Sequence, residues 1–250
     1  MSAYNSKQLF GSVRLGPFGQ VSYVLLALVA IMLVVQLFNM ADTRVFREFN
    51  GAFVYTYQVF DVLWGLVDSQ ISGRYGQALD APFLWPQRGW ITHIFVHSSW
   101  WHLAFNAIAL VSFGAQIERL LGSVNFLILF FAAAIAAAIA QLGWNMIIGQ
   151  PLVMVGASGG VFGVIGAVFF FTDPRARLML YMIIPIPIRL GILLLVAAQI
   201  FFLFTGGGGN VAFAAHLGGA LLGGIVGPLM YNSQGAVAIW RAGFNWRNWW

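Results

Sequence analysis

Ser158 stands in the run Val155-Gly156-Ala157-Ser158-Gly159-Gly160-Val161-Phe162-Gly163, one hydroxyl among small residues at the mouth of an otherwise apolar stretch. A serine in such a place either bonds a neighbouring backbone carbonyl or acts as a nucleophile. The choice turns on what else can reach it. A serine hydroxyl attacks a carbonyl only when a base takes its proton. His216 is the candidate, because a histidine titrates near neutral pH and can later protonate a leaving amine. Attack places negative charge on oxygen where solvation is poor. His102, Asn106 and the backbone N–H of Ser158 at a helix start could hold that charge, and one such donor typically lowers the barrier by about 3 kcal/mol. His102 and Asn106 are four residues apart, so a helix carries both on one face.

Positioning these groups falls to a chain of 250 residues that is 60% hydrophobic and 8% charged, which lipid more than water must solvate. The expected fold is an all-α membrane protein. The chain has no cysteine, which excludes disulfides, thiol nucleophiles and thiolate metal sites. Its net charge of +5 is scattered over short loops and forms no cluster, so membrane topology explains it better than nucleic-acid binding.

Apolar runs at about 21–40, 99–116, 124–148, 158–172, 188–204 and 211–230 predict a bundle of six transmembrane helices. The first run is too long for a secretory signal and no small-residue cleavage site follows it, so it is read as a retained span. Residues 1–20 are expected to be a cytoplasmic segment, 21–230 the six-span membrane domain with a long first loop at 41–98, and 231–250 a Trp-rich tail anchored at the interface. In the first loop Phe53, Tyr55, Tyr57, Phe60 and Trp64 interleave with polar groups, which predicts a partly helical loop of interfacial helices. A competing reading of 52–67 as a short span inverts everything downstream.

The fourth run is short. Its fifteen residues rise about 22 Å against roughly 30 Å of hydrocarbon, which sinks Ser158 below the outer surface. Pro185 and Pro187 delay the fifth span to residue 188. The alanine-rich stretch 132–140 in the third run and the ladder Gly219, Gly223, Gly227 in the sixth invite close approach, the latter against the glycine-rich fourth. Six spans put Lys7, Arg14, Arg119, Arg175, Arg177, Arg189, Arg241 and Arg247 on one side, which makes both termini cytoplasmic. His102, Ser158 and His216 then all lie near the outer face. A lone intramembrane histidine, an asparagine or a glycine motif each has an ordinary packing role. All of those roles would have to coincide at one depth.

In these residues the sequence resembles the rhomboid family of intramembrane serine proteases. Gly156-Ala157-Ser158-Gly159 matches its Gly-x-Ser-Gly nucleophile motif, His102-x-x-x-Asn106 its second span, and Ala215-His216-x-x-Gly219-x-x-x-Gly223 its sixth. His93-x-x-x-His97 and Glu118-Arg119-Leu120-Leu121-Gly122-Ser123 are also similar to the family pattern, and the resemblance covers about residues 85–228. It implies a rhomboid-like six-helix core, a Ser158–His216 dyad without an acid, and an oxyanion site that includes His102 and Asn106. His97, Gly156, Phe162 and Gly219 are expected in support. The implied activity is cleavage of single-pass or polytopic membrane proteins within or beside their transmembrane segments. Phe162 stands where the family often has a tyrosine stacked on the catalytic histidine, and Trp85-Pro86-Gln87-Arg88 does not cleanly match the family's Trp-Arg pair.

Other chemistries fit less well. His93, His97 and His102 lack a His-Glu-x-x-His motif, so neither a metal nor another cofactor is expected. No aspartate falls within the six runs, which excludes aspartyl intramembrane proteolysis. A transporter would need an inverted repeat and ion-coordinating groups on facing spans. The strongest alternative is a non-catalytic rhomboid-like binder of transmembrane helices, for which keeping Ser158, His216 and the glycine motif together serves no purpose. Residues 206–210 and the upper fifth span are a candidate lid. The compact size and the lack of a transit-like segment predict a bacterial inner membrane, with the site opening to its outer face.

Overall fold

The computed structural model describes residues 12–14, 20–41, 45–50, 53–58, 65–67, 86–150, 153–172, 176–180, 184–206 and 211–231. Helix predominates among them, and it follows the apolar runs closely. Helix α1 is Tyr23–Ala41, α2 is Pro86–Thr92 and α3 is Trp100–Ala109. α3 continues through a π-helical turn, Leu110–Gly114, into α4, Ala115–Leu121. The second run is therefore one helical stretch with a locally widened turn. Next come α5, Ser123–Ile148, α6, Ser158–Phe171, α7, Ile188–Thr205, and α8, Phe213–Tyr231. In lipid the backbone must satisfy its own hydrogen bonds, and the helix does so within each segment. The two glycines that end α5 and α7, Gly149 and Gly206, take left-handed φ of 65° and 66° and return their N–H groups to Asn145 and Phe202.

Four helices, α1, α5, α7 and α8, are long and apolar enough to cross a membrane, and α6 is a shorter apolar helix. α6 lies between α5 and α8, nearly backbone to backbone. A Cβ added to Gly223 would strike the carbonyl oxygen of Gly163, one added to Gly219 the carbonyl of Gly159, and one added to Gly227 would come within 2.8 Å of Ala167 Cβ. On the other side, Ala133 and Ala137 of α5 fill the space where Cβ atoms of Gly163 and Gly159 would be, and Phe130 crowds Gly160. This is the contact expected between the sixth and fourth runs. Without a hydrophobic drive between helices in lipid, such close packing supplies the dispersion contacts that hold them.

Polar ties join the start of α1, α4 and the start of α5. Buried Glu118 on α4 accepts from the hydroxyl of Ser22 before α1 and from Ser123 Oγ at the start of α5 at 2.6 Å, so three elements meet on one carboxylate.

The first loop departs from expectation. Strands β3, Val45–Asn50, and β4, Phe53–Gln58, follow an N-terminal pair β1, Ser12–Arg14, and β2, Gln20–Ser22. β3 and β4 pair antiparallel from Val45↔Gln58 to Asn50↔Phe53, where interfacial helices were expected, and 53–58 is no span. The alternation of aromatic and β-branched residues in Phe53-Val54-Tyr55-Thr56-Tyr57 carries a strand signal that outweighs the amphipathic-helix reading. Only α2 makes the loop partly helical among the described residues. Strand β5, Leu66–Val67, pairs with β6, Val153–Met154, just ahead of Ser158, and tethers the loop there. A last hairpin joins β7, Arg177–Leu180, to β8, Ile184–Pro187, where Pro185 and Pro187 delay the helix. The tail at 232–250, residues 1–11 and 15–19 of the first segment, and 207–210 of the expected lid lie outside the described residues.

Candidate active site

Ser158 is the first residue of α6 and half-buried, with Ala157 as its N-cap. The two residues before it are held from the His93–His97 turn. Gly156 N–H donates to the carbonyl of His93 at 2.8 Å, and Ala157 N–H donates to His97 Nε2 at 3.4 Å. Gly156 is required twice over. Its φ of 115° is open to glycine alone, and a Cβ there would stand 2.6 Å from His102 Cε1. The His102 ring thus lies flush against the chain that delivers the serine.

The His93–His97 turn is itself anchored. His93 Nδ1 donates to Gly89 O at 2.7 Å, and Asn39 Nδ2 at the end of α1 donates to the carbonyl of His97 at 2.8 Å. Both rings are fully buried, and burial pushes them down, His93 to about 4 and His97 to about 3, the latter helped by His102 nearby. Both are neutral at pH 7, so the His97 ring can accept the Ala157 N–H while the His93 ring donates to the Gly89 carbonyl. His97 meets His102 edge to face, with centroids 5.1 Å apart.

His102 and Asn106 share one face of α3. Ser99 caps that helix, its hydroxyl accepting from His102 N–H at 3.1 Å, and Ser98 Oγ pairs with His102 Nδ1 at 3.1 Å. Asn106 is buried, and its Nδ2 donates to the His102 carbonyl at 2.9 Å. His102 reaches the loop that precedes Ser158 through Gly156, whereas Asn106 spends a donor on its own helix.

His216 lies in the first turn of α8. Its ring stacks on Phe162, one turn after Ser158 on α6, with centroids 4.1 Å apart and planes 4° apart. Gly219 keeps α8 against Gly159, so Ser158 and His216 are brought to the same end of one closely packed helix pair. Among the described residues no hydrogen bond joins the Ser158 hydroxyl to His216. His216 Nδ1 instead meets Gln199 Oε1 of α7 at 2.7 Å. A second glutamine, Gln141 of α5, accepts from the Ala215 N–H at 3.1 Å and so satisfies a donor that the start of α8 leaves open. Gln141, Gln199 and Ser98 are absent from the sequence reading. A lone polar residue inside an apolar run is the signal that could have found the two glutamines. No group of three or more His, Cys, Asp or Glu side chains among the described residues is arranged to hold a metal ion.

The rhomboid domain family model matches residues 85–233, which contain every residue of this cluster except Asn39. The chain belongs to the rhomboid family. This rhomboid is 34% identical to "Rhomboid protein 1, mitochondrial" of Saccharomyces cerevisiae over 140 residues, 53% of the chain and 39% of that protein. It is 33% identical over 134 residues, 54% of the chain, to rhomboid protease GluP of Bacillus subtilis and to rhomboid protease GlpG of Haemophilus influenzae, covering 24% and 65% of them. The matched region is under two thirds of each relative's length. With its apolar helices, family membership makes this rhomboid an integral membrane protein.

Proposed function

We propose that this rhomboid is an intramembrane serine endopeptidase that cleaves membrane-anchored proteins within or beside their transmembrane segments. The observation that carries the reading is the seat of His216, flat on Phe162 one turn from Ser158, at the mouth of a helix pair packed glycine against glycine. Relatives named as rhomboid proteases support it.

In this reading the Ser158 oxygen attacks the substrate carbonyl carbon while its proton passes to His216 Nε2. The developing oxyanion is held by His102, by the Asn106 amide once it turns from its helix carbonyl, and by the Ser158 N–H at the start of α6. Collapse breaks the C–N bond, the imidazolium returns its proton to the leaving amine, and an acyl-serine remains. Water, deprotonated by His216, then attacks the acyl carbon and releases Ser158. Gly156 and His97 shape the loop that presents the serine, and Gly219 sets the depth of α8.

The proposed topology has six crossings, with α3 to α4 as the second and α6 as the fourth. Both termini face the cytoplasm of a bacterial inner membrane, and the site opens outward. Reconstitution in liposomes with a single-pass reporter tests the reading. Wild type should release two fragments cut in or near the reporter helix, and Ser158→Ala and His216→Ala should release none. A wild-type protein that retains the reporter uncut, as both variants do, would instead be a helix binder.

A further inference from the structure

Gln199 is the single polar residue between Arg189 and Thr205 on α7. Leu193, Leu194, Ile200 and Phe201 of the same helix are exposed apolar surface, while Gln199 is buried. A buried carboxamide on a lipid-facing helix is costly unless its polar atoms are met. Its oxygen is met by His216 Nδ1 at 2.7 Å. An amide oxygen only accepts, so the nitrogen facing it carries the hydrogen, and a neutral ring protonated at Nδ1 presents Nε2 as a bare lone pair. That tautomer alone can take a proton at Nε2. Stacking on Phe162 sets the plane of the ring but not which nitrogen bears the hydrogen.

We infer that Gln199 is a positioning residue that holds His216 in its Nδ1–H tautomer and so readies Nε2 as the base. The inference rests on the proposed dyad and adds the partner that orients it. An uncharged amide here orients the ring as an acid would, without burying a second charge in lipid. The bond also ties the base to the seat of α7, the least enclosed of the four long helices, with 17% of its span buried against 28% to 44% for the others.

The test uses the full chain in detergent, with Q199L and Q199E compared on a membrane-anchored peptide substrate and by 15N NMR of the His216 ring. Q199L keeps the volume and removes the acceptor, so kcat should fall about tenfold with KM unchanged. Q199E offers an oxygen acceptor in either protonation state and should restore kcat to within about twofold of wild type. The wild-type ring should show Nδ1 protonated and Nε2 bare, and Q199L a mixture of tautomers. An Nε2-protonated ring in the wild type, or unchanged kcat in Q199L, overturns the inference. Cleavage that survives in Ser158→Ala would instead condemn the dyad, and the NMR spectrum, read on the ring alone, separates the two failures.

Discussion

The His216 ring lies parallel to Phe162, 4.1 Å away, although the two residues belong to different helices. A tilt of only 4° makes the two rings parallel, so the contact sets the plane of the imidazole. Because Phe162 follows Ser158 by one helical turn, the same helix that carries the hydroxyl also carries the floor beneath the imidazole.

Removing that floor should loosen the base without unfolding the bundle. Phe162→Ala is expected to lower kcat about tenfold, the scale of an aromatic contact of roughly 1 kcal/mol plus lost packing, while Phe162→Tyr should retain activity. Steady-state cleavage rates of the two variants check this, with thermal unfolding in detergent as the control for folding.

Gly156→Ala should abolish cleavage. It forces a side chain into φ of 115° and into the His102 ring, a combined cost of about 1–3 kcal/mol at the least. Gly149→Ala is the matched control, since it too has positive φ but meets nothing within 4 Å, and it should lose about 1 kcal/mol of stability with cleavage intact. The two unfolding curves and cleavage rates distinguish a strained active loop from general glycine intolerance.

Gly223→Ala should destabilise the fold, because its Cβ would meet the Gly163 backbone carbonyl, which cannot move aside. Gly143→Ala in α5 meets nothing within 4 Å and should gain up to about 1 kcal/mol from helix propensity. Opposite shifts in detergent melting temperature are the expected result.

How much of this was legible from sequence depends on whether a feature is local. The apolar runs predicted the helix positions to within a few residues, because each span satisfies its backbone alone, and the ladder of Gly219, Gly223 and Gly227 announced its partner α6 through small size. Composition carries the first loop less well, since interleaved aromatic and polar residues suit an interfacial helix and a strand equally, and only the pairing from Val45↔Gln58 to Asn50↔Phe53 decides between them. The histidines at 93 and 97, without a His-Glu-x-x-His motif, are expected to be structural or hydrogen-bonding groups rather than ligands. Their backbone partners, at Gly89 and Ala157, lie four and sixty residues away, and only the fold reveals them. Gln199 was missed for the same reason, being paired seventeen residues away across a turn.

Acid should unfold this protein through the same turn. His93 and His97 have folded values pushed to about 4 and about 3, below the ordinary 6.5, so between those limits the unfolded chain binds more protons than the folded one. Their contribution is fully present above about pH 6.5 and is lost as pH falls toward 4. Stability measured across pH 7 to 4 should decline, and His93→Gln should show a shallower decline than wild type.

The dyad itself is tested most directly by a fluorophosphonate, which phosphonylates a serine only when a base has activated it. The solubilised protein is treated with the reagent and digested, and the adduct is located by mass. A single adduct on Ser158 that is lost in His216→Ala is the predicted result. Equal labelling of wild type and His216→Ala, or an adduct on any other serine, would contradict the account.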